Sequence, residues 1–297
     1  MSGTFLETGP RTEEPPVGVR RRTRRGQHRR HRREPPLRAL RRTRRRQHRR
    51  HRREPPVRER RRVPRVLETA LYEFALSTGM LFTVVTAVRW MAGPGTPLAD
   101  LFPTLTSQLV AMGLLVGVIV VIVLGPSMRR ETAGHLNPAV SIGLWLLRVF
   151  PVQAVLPFVV AQLAGSVAGV GLARLVWGDA AARVGDAALT PAAGWSTGAV
   201  FAAEAGAMAV IMLIVAFAGT RPHLLRHLPA VVGACVAAVI IFLGPLSGGG
   251  ANPARQFGPA LVSGTTGLLW VYVLAPVAGS LLAALVAGLL KWRAPAR

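Results

Sequence analysis

Apolar positions along most of this chain do not alternate with polar ones; they run on. Six segments, Leu67–Met91, Pro103–Leu124, Val152–Trp177, Trp195–Gly219, Leu228–Pro245 and Thr265–Leu290, are each close to the roughly 20 residues a helix needs to cross a bilayer. Buried β-strands end after about four to eight residues, so length decides for helix. Small residues recur at four-residue steps, at Ala161, Gly165 and Gly169 and again at Ala275, Gly279, Ala283 and Ala287. That spacing lets helix backbones approach closely in lipid, where packing replaces the hydrophobic effect. The pattern predicts an all-α membrane protein with six transmembrane helices.

Two further apolar segments are too short to cross. One follows the second span and contains Asn137-Pro138-Ala139; the other follows the fifth and contains Asn252-Pro253-Ala254. Asn is a strong helix N-cap and Pro suits the first helical position, so each segment reads as a half-helix starting at its motif. Each lies between the second and third spans of a three-span half, about 67–177 and 195–290. Three spans per half is odd, so the second half is inverted relative to the first. The two segments then enter from opposite faces and meet N-terminus to N-terminus near the midplane, as broken helices do in inverted-repeat transport proteins.

Charge is segregated. Residues 1–66 carry 25 Arg and 6 Glu, whereas residues 67–297 carry 12 Lys and Arg against 7 Asp and Glu. So few charges cannot cover that much apolar surface in water, which excludes a single soluble domain. Residues 21–40 and 41–60 are a 20-residue Arg-rich repeat with sixteen identical positions. Dense like charge with few apolar residues predicts a disordered tail over residues 1–62, ahead of a membrane-embedded domain at 63–297. The tail's chemistry suits anionic lipid headgroups or nucleic acid. Its histidines 28, 31, 48 and 51 lack cysteine partners, and no metal or cofactor is expected. Arg129, Arg130, Arg148, Arg221, Arg226, Lys291, Arg293 and Arg297 fall on the side of the tail. The positive-inside rule therefore predicts a multi-pass protein of the cell membrane with both termini cytoplasmic.

The paired Asn-Pro-Ala motifs come with Glu73-Phe74, Ala161-Gln162, Gly165, Glu204 and, directly after the second motif, Arg255. On these residues the chain, over about 67–290, resembles the aquaporin (major intrinsic protein) family. The resemblance implies a passive channel for water and small uncharged solutes such as glycerol, built as a homotetramer in the lipid bilayer, and no enzyme. It implies that Asn137 and Asn252 donate amide hydrogens into the lumen, and that Arg255 lines the narrowest point and repels cations. Glu73 and Glu204, buried acids within spans, are read as structural acceptors for the half-helix loops.

Counting by the family spacing assigns Gly249 and Ile240 to the constriction. The span-two position is Met112 by motif or Gly117 by ungapped count, because the loop Gly125–Gly134 is about five residues long for the family. Ile240 stands where water-selective members usually carry His. Gln256 departs from both the Ser or Ala of water channels and the Asp of glycerol channels. The filter is therefore expected to be less polar and wider than a strict water pore. His135 faces a cytoplasmic vestibule or is a satisfied structural residue; Cys235 is a packing residue or, if it faces the lumen, a mercury site. Two other readings remain: a secondary carrier with broken helices, which needs more titratable carboxylates, and a membrane-tethered polyanion-binding protein working through its tail.

Overall fold

The computed structural model describes residues 62–130 and 134–292. The Arg-rich tail up to residue 61 with its four histidines, and Arg293 and Arg297, lie outside the described residues. The helices, in order, are α1 (Arg62–Ala92), α2 (Pro97–Leu101), α3 (Leu105–Arg130), α4 (Pro138–Leu146), α5 (Val152–Trp177), α6 (Asp179–Ala182), α7 (Thr197–Gly219), α8 (Leu228–Ala238), α9 (Pro253–Ser263) and α10 (Leu269–Leu289). Six helical stretches are long and apolar enough to span a membrane: α1, α3, α5, α7, α10, and α8 with its flanking turns, Pro222–Leu243. The outer surface is apolar as well, with Leu175 85% and Leu289 82% exposed. Such side chains are stable outside only against lipid or another apolar surface.

Helix ends follow local chemistry. Ser196 caps α7 by accepting from Ala199 N at 3.2 Å, and Thr96 caps α2 through Ala99 N at 3.2 Å. The extra length counted into the loop after span two belongs to helix instead, since α3 runs on through Pro126 to Arg130. The fifth span departs from a regular helix, because α8 passes into a π-helical turn over Val239–Leu243. Such turns insert an extra residue and are frequent at functional sites.

The halves interlock. In the first, α1 packs on α5; in the second, α7 packs on α10; α3 and α8 pair across the join. Glycines permit the close approaches. A Cβ at Gly169 would lie 2.3 Å from Thr78 O, and one at Gly279 would lie 2.1 Å from Ala205 O. Each short helix leans on the other half: α4 packs on α10 as well as α5, and α9 on α5 as well as α10. The bundle thus has a terminal face, where α1 starts and α10 ends, and an opposite face.

Candidate functional site

The site begins with the two half-helices. Asn137 and Asn252 are extended residues whose Oδ1 atoms accept from Ala139 N and Ala254 N, each at 2.9 Å, with Pro138 and Pro253 opening the helices. The residues just before them, Leu136 and Ala251, take left-handed φ values of 49° and 43°. That conformation costs a side-chain-bearing residue about 1–3 kcal/mol. It turns each carbonyl toward the opposite motif. Asn137 Nδ2 donates to Ala251 O and Asn252 Nδ2 donates to Leu136 O, both at 2.9 Å. The half-helices therefore meet end to end, tied by a reciprocal pair of bonds.

Two buried carboxylates hold the kinks. Glu73, fully buried on α1, accepts from the backbone N–H groups of Gly134, His135 (2.8 Å) and Leu136 (2.9 Å) and from Gln162 Nε2 (2.7 Å). Glu204, its counterpart on α7, accepts from Ser247 Oγ (2.7 Å), Gly250 N (3.1 Å) and Ala251 N (2.5 Å). Burying a carboxylate is costly unless hydrogen-bond donors satisfy it, and here Glu73 has four donors and Glu204 three. Tyr272 donates its hydroxyl to Ser247 O and braces the second loop.

A cavity of about 1600 Å³ runs past this junction. Its lining extends from Arg65 and Tyr72 at the terminal face to Gln108 and Thr190 at the opposite one, so it crosses the bundle. Most of its wall is apolar, with Met80 and Val84 of α1, Met112 and Val116 of α3, Ile211 of α7, and Val236 of α8. Residues 134–137, 187–190 and 248–252, which lie outside the spanning helices, also line it. Asn137, Asn252 and Arg255 all line it. Arg255 Nη1 donates to Ala187 O at 2.8 Å.

The sequence-derived candidates fall into place unequally. Met112 and Ile240 line the cavity, on α3 and at the π-helical turn. Gly117 does not: it faces α8, where a Cβ would lie 2.8 Å from Gly233 O. Gly249 lines the cavity, but a Cβ there would point at the π-helical turn, 2.7 Å from Val239 O and 2.9 Å from Gly244 N. His135 lines the cavity and is also held, with Nδ1 3.0 Å from Ser141 Oγ and its ring against Phe150 and Phe158. Burial in this loop between spans pushes the imidazole below its ordinary range, outweighing the upward pull of Glu73. Cys235 packs beside the cluster of Met208, Ile211 and Met212.

Sequence reasoning missed what Gln256 does. It is buried and turns toward the connection after α6, where it holds both peptide groups of Leu189. It missed Asp186 and Ala187 as well. The one available signal was the departure of Gln256 from the family's residues.

Comparison with known proteins agrees with this architecture. The family model described as Major intrinsic protein matches residues 61–287. The probable aquaporin AqpM of Archaeoglobus fulgidus is 35% identical over 165 residues, covering 53% of this chain and 67% of its own length. Aquaporin NIP3-1 of Arabidopsis thaliana is 31% identical over 223 residues, covering 74% of this chain and 66% of its own. The chain thus spans about two thirds of these curated relatives. The X-ray structure of the aquaglyceroporin from Plasmodium falciparum superposes with a TM-score of 0.61 at 19% identity, over 74% of this chain and 95% of the other, which shows a common fold. The chain belongs to the major intrinsic protein family and is a multi-pass membrane protein.

Proposed function

We propose that this chain is a passive channel, and not an enzyme, that conducts water and small uncharged solutes such as glycerol and excludes ions and protons. One observation carries the reading: a bundle-crossing cavity whose middle is flanked by two opposed helix N-termini capped by Asn137 and Asn252. Each Asn amide has two hydrogens, and the crossing bond uses one. At Asn252 the other is left for the oxygen of a permeant; at Asn137 the amide nitrogen also meets Met208 Sδ at 3.9 Å, a weak acceptor that a permeant oxygen can displace. Helix N-termini carry partial positive charge, and two facing each other disfavour cations and hydronium at the centre. Arg255 adds a full positive charge, and with Met112, Ile240 and Gly249 forms the constriction. Glu73 and Glu204 support a channel rather than a carrier, because their lone pairs are engaged by the half-helix loops. Osmotic swelling of proteoliposomes, with water and then with glycerol, tests the reading. Correctly inserted protein that swells no faster than empty vesicles would refute it.

We infer further that the terminal face is cytoplasmic and the membrane is the cell membrane. The reading rests on the basic excess at Arg148, Arg221, Arg226 and Lys291 on the side of the tail. By resemblance to the family the channel is a homotetramer, which the mass of the detergent-solubilised particle tests. The tail is assigned to anionic lipid headgroups, with nucleic acid as the competing polyanion. Removing residues 1–62 should abolish binding to phosphatidylserine vesicles and leave the swelling rate per molecule unchanged. Loss of permeation in the inserted, shortened protein would make the tail part of the pore.

A further inference from the structure

The segment that meets Arg255 is built from conformations that a chain does not adopt unaided. Gly185, Asp186 and Ala187 take consecutive left-handed φ values of 60°, 50° and 62°. Glycine accepts this freely and Asp tolerates it; Ala has no local means of compensation. Other parts of the molecule must hold the run in place.

Three attachments do so. Asp186 is completely buried, and its carboxylate receives Nε of Arg174 at 2.8 Å together with Nη2 of the same guanidinium. Arg174 lies in the last turn of α5, so the fork ties the run to a packed helix. On the other flank, Gln256 Oε1 accepts from Leu189 N at 2.7 Å and Gln256 Nε2 donates to Leu189 O at 3.1 Å. Further on, Ala192 N donates to Leu246 O at 2.8 Å. Ala187 sits between the first two attachments, and its carbonyl is the one that Arg255 Nη1 meets.

The chemistry at position 256 is specific. A primary amide presents an acceptor and a donor side by side, matching the N–H and C=O of one residue. Glu offers acceptors only and opposes Leu189 O; Met fills the space and makes neither bond. Gln256 is also the immediate neighbour of Arg255 on α9. One turn of helix thus carries both the guanidinium that faces the cavity and the amide that holds the wall opposite it.

We propose that Asp186 and Gln256 are positioning residues of the constriction: they clamp residues 185–191, hold the Ala187 carbonyl against Arg255, and so set which solutes pass. The proposal rests on the reading of Arg255 as part of the constriction. Asp186 and Gln256 act through that guanidinium and touch no permeant.

The test measures water and glycerol permeability on the same batches of proteoliposomes. The proteins are the full chain, Gln256→Met, Gln256→Glu, Asp186→Asn, Arg255→Ala, and Gln256→Met combined with Arg255→Ala. Asn at 186 keeps the size and the tolerance for left-handed φ, so that variant removes the ion pair alone. Gln256→Glu keeps the bond from Leu189 N and provides a milder lesion. A purely structural role lowers both permeabilities with the amount of folded channel and leaves their ratio unchanged. The clamp predicts a glycerol-to-water ratio raised at least about threefold in Gln256→Met and in Asp186→Asn, with no further rise when Gln256→Met is added to Arg255→Ala. An unchanged ratio in the clamp variants, with a changed one in Arg255→Ala, overturns the clamp and leaves the constriction standing. An unchanged ratio in Arg255→Ala removes the constriction and the clamp together. An equal rise from Gln256→Met with and without Arg255 shows that Gln256 acts elsewhere, and also overturns the proposal.

Discussion

Asn137 and Ala251, 114 positions apart in sequence, are joined by a 2.9 Å bond from the Asn amide to the Ala carbonyl, and Asn252 and Leu136 repeat the bond in reverse. The pair makes the two half-helices one continuous element across the bundle. It also fixes the orientation of each amide, because Oδ1 is engaged by its own helix and one Nδ2 hydrogen by the other. What remains for a permeant is one N–H of Asn252, one of Asn137 held only by the weak acceptor Met208 Sδ at 3.9 Å, and the positive ends of both helices.

That arrangement predicts electrical silence. A planar bilayer holding the wild-type protein should show no single-channel current in potassium or sodium chloride at either polarity. A resolved cation current would contradict the roles given to the helix ends and Arg255.

Gly249 should tolerate no side chain. Its φ is +64°, and a Cβ would lie 2.7 Å from Val239 O. Gly249→Ala is expected to cost about 1–3 kcal/mol in overpacking and to reduce both thermal stability in detergent and water permeation. Gly198→Ala, where a Cβ meets nothing within 4 Å, is the matched control and should be neutral. Equal behaviour of the two variants would refute the packing at Gly249.

Ile240→His should cut glycerol flux more than water flux in the same vesicles. The π-helical turn places Ile240 on the cavity wall, where an apolar surface suits the carbon backbone of a polyol. A permeant that sheds water must recover its hydrogen bonds in the pore or meet a barrier of roughly a few kcal/mol. Histidine adds a polar group that water can use and replaces the apolar surface that glycerol needs. A wild type that passes water and excludes glycerol would make the pore a narrow water channel.

His135 predicts a sign for acid sensitivity. Burial lowers its pKa in the fold, below the ordinary 6.5. Below that pH the unfolded chain takes up a proton that the native imidazole refuses, so stability falls as pH drops through this window. His135→Asn should flatten the corresponding part of the melting-temperature profile between about pH 8 and about pH 5. An identical slope in both proteins would show that the imidazole is not held neutral.

Much of this molecule is local and therefore legible from its residues. A run of apolar residues forms a spanning helix whatever it packs against, since lipid demands internally satisfied backbone. An Asn-Pro pair starts a helix through its own cap, so both half-helices and their inverted placement follow from the sequence. The need of Glu73 and Glu204 for donors follows from the cost of burying a bare carboxylate.

Tertiary structure decided the rest, where a residue's role depends on a neighbour distant in the chain. Met112 and Gly117 differ by little more than one helical turn, and only the packing of Gly117 on Gly233 shows which of them turns away from the cavity. The direction of a Cβ at Gly249 depends on a π-helical turn that no composition rule signals. Gln256 looked like an anomaly because its partner, Leu189, is 67 residues away in the sequence. Sequence determines which segments cross and which only enter. The shape of the constriction comes from long-range hydrogen bonds that hold strained backbone in place, and those exist only once the two halves have closed on each other.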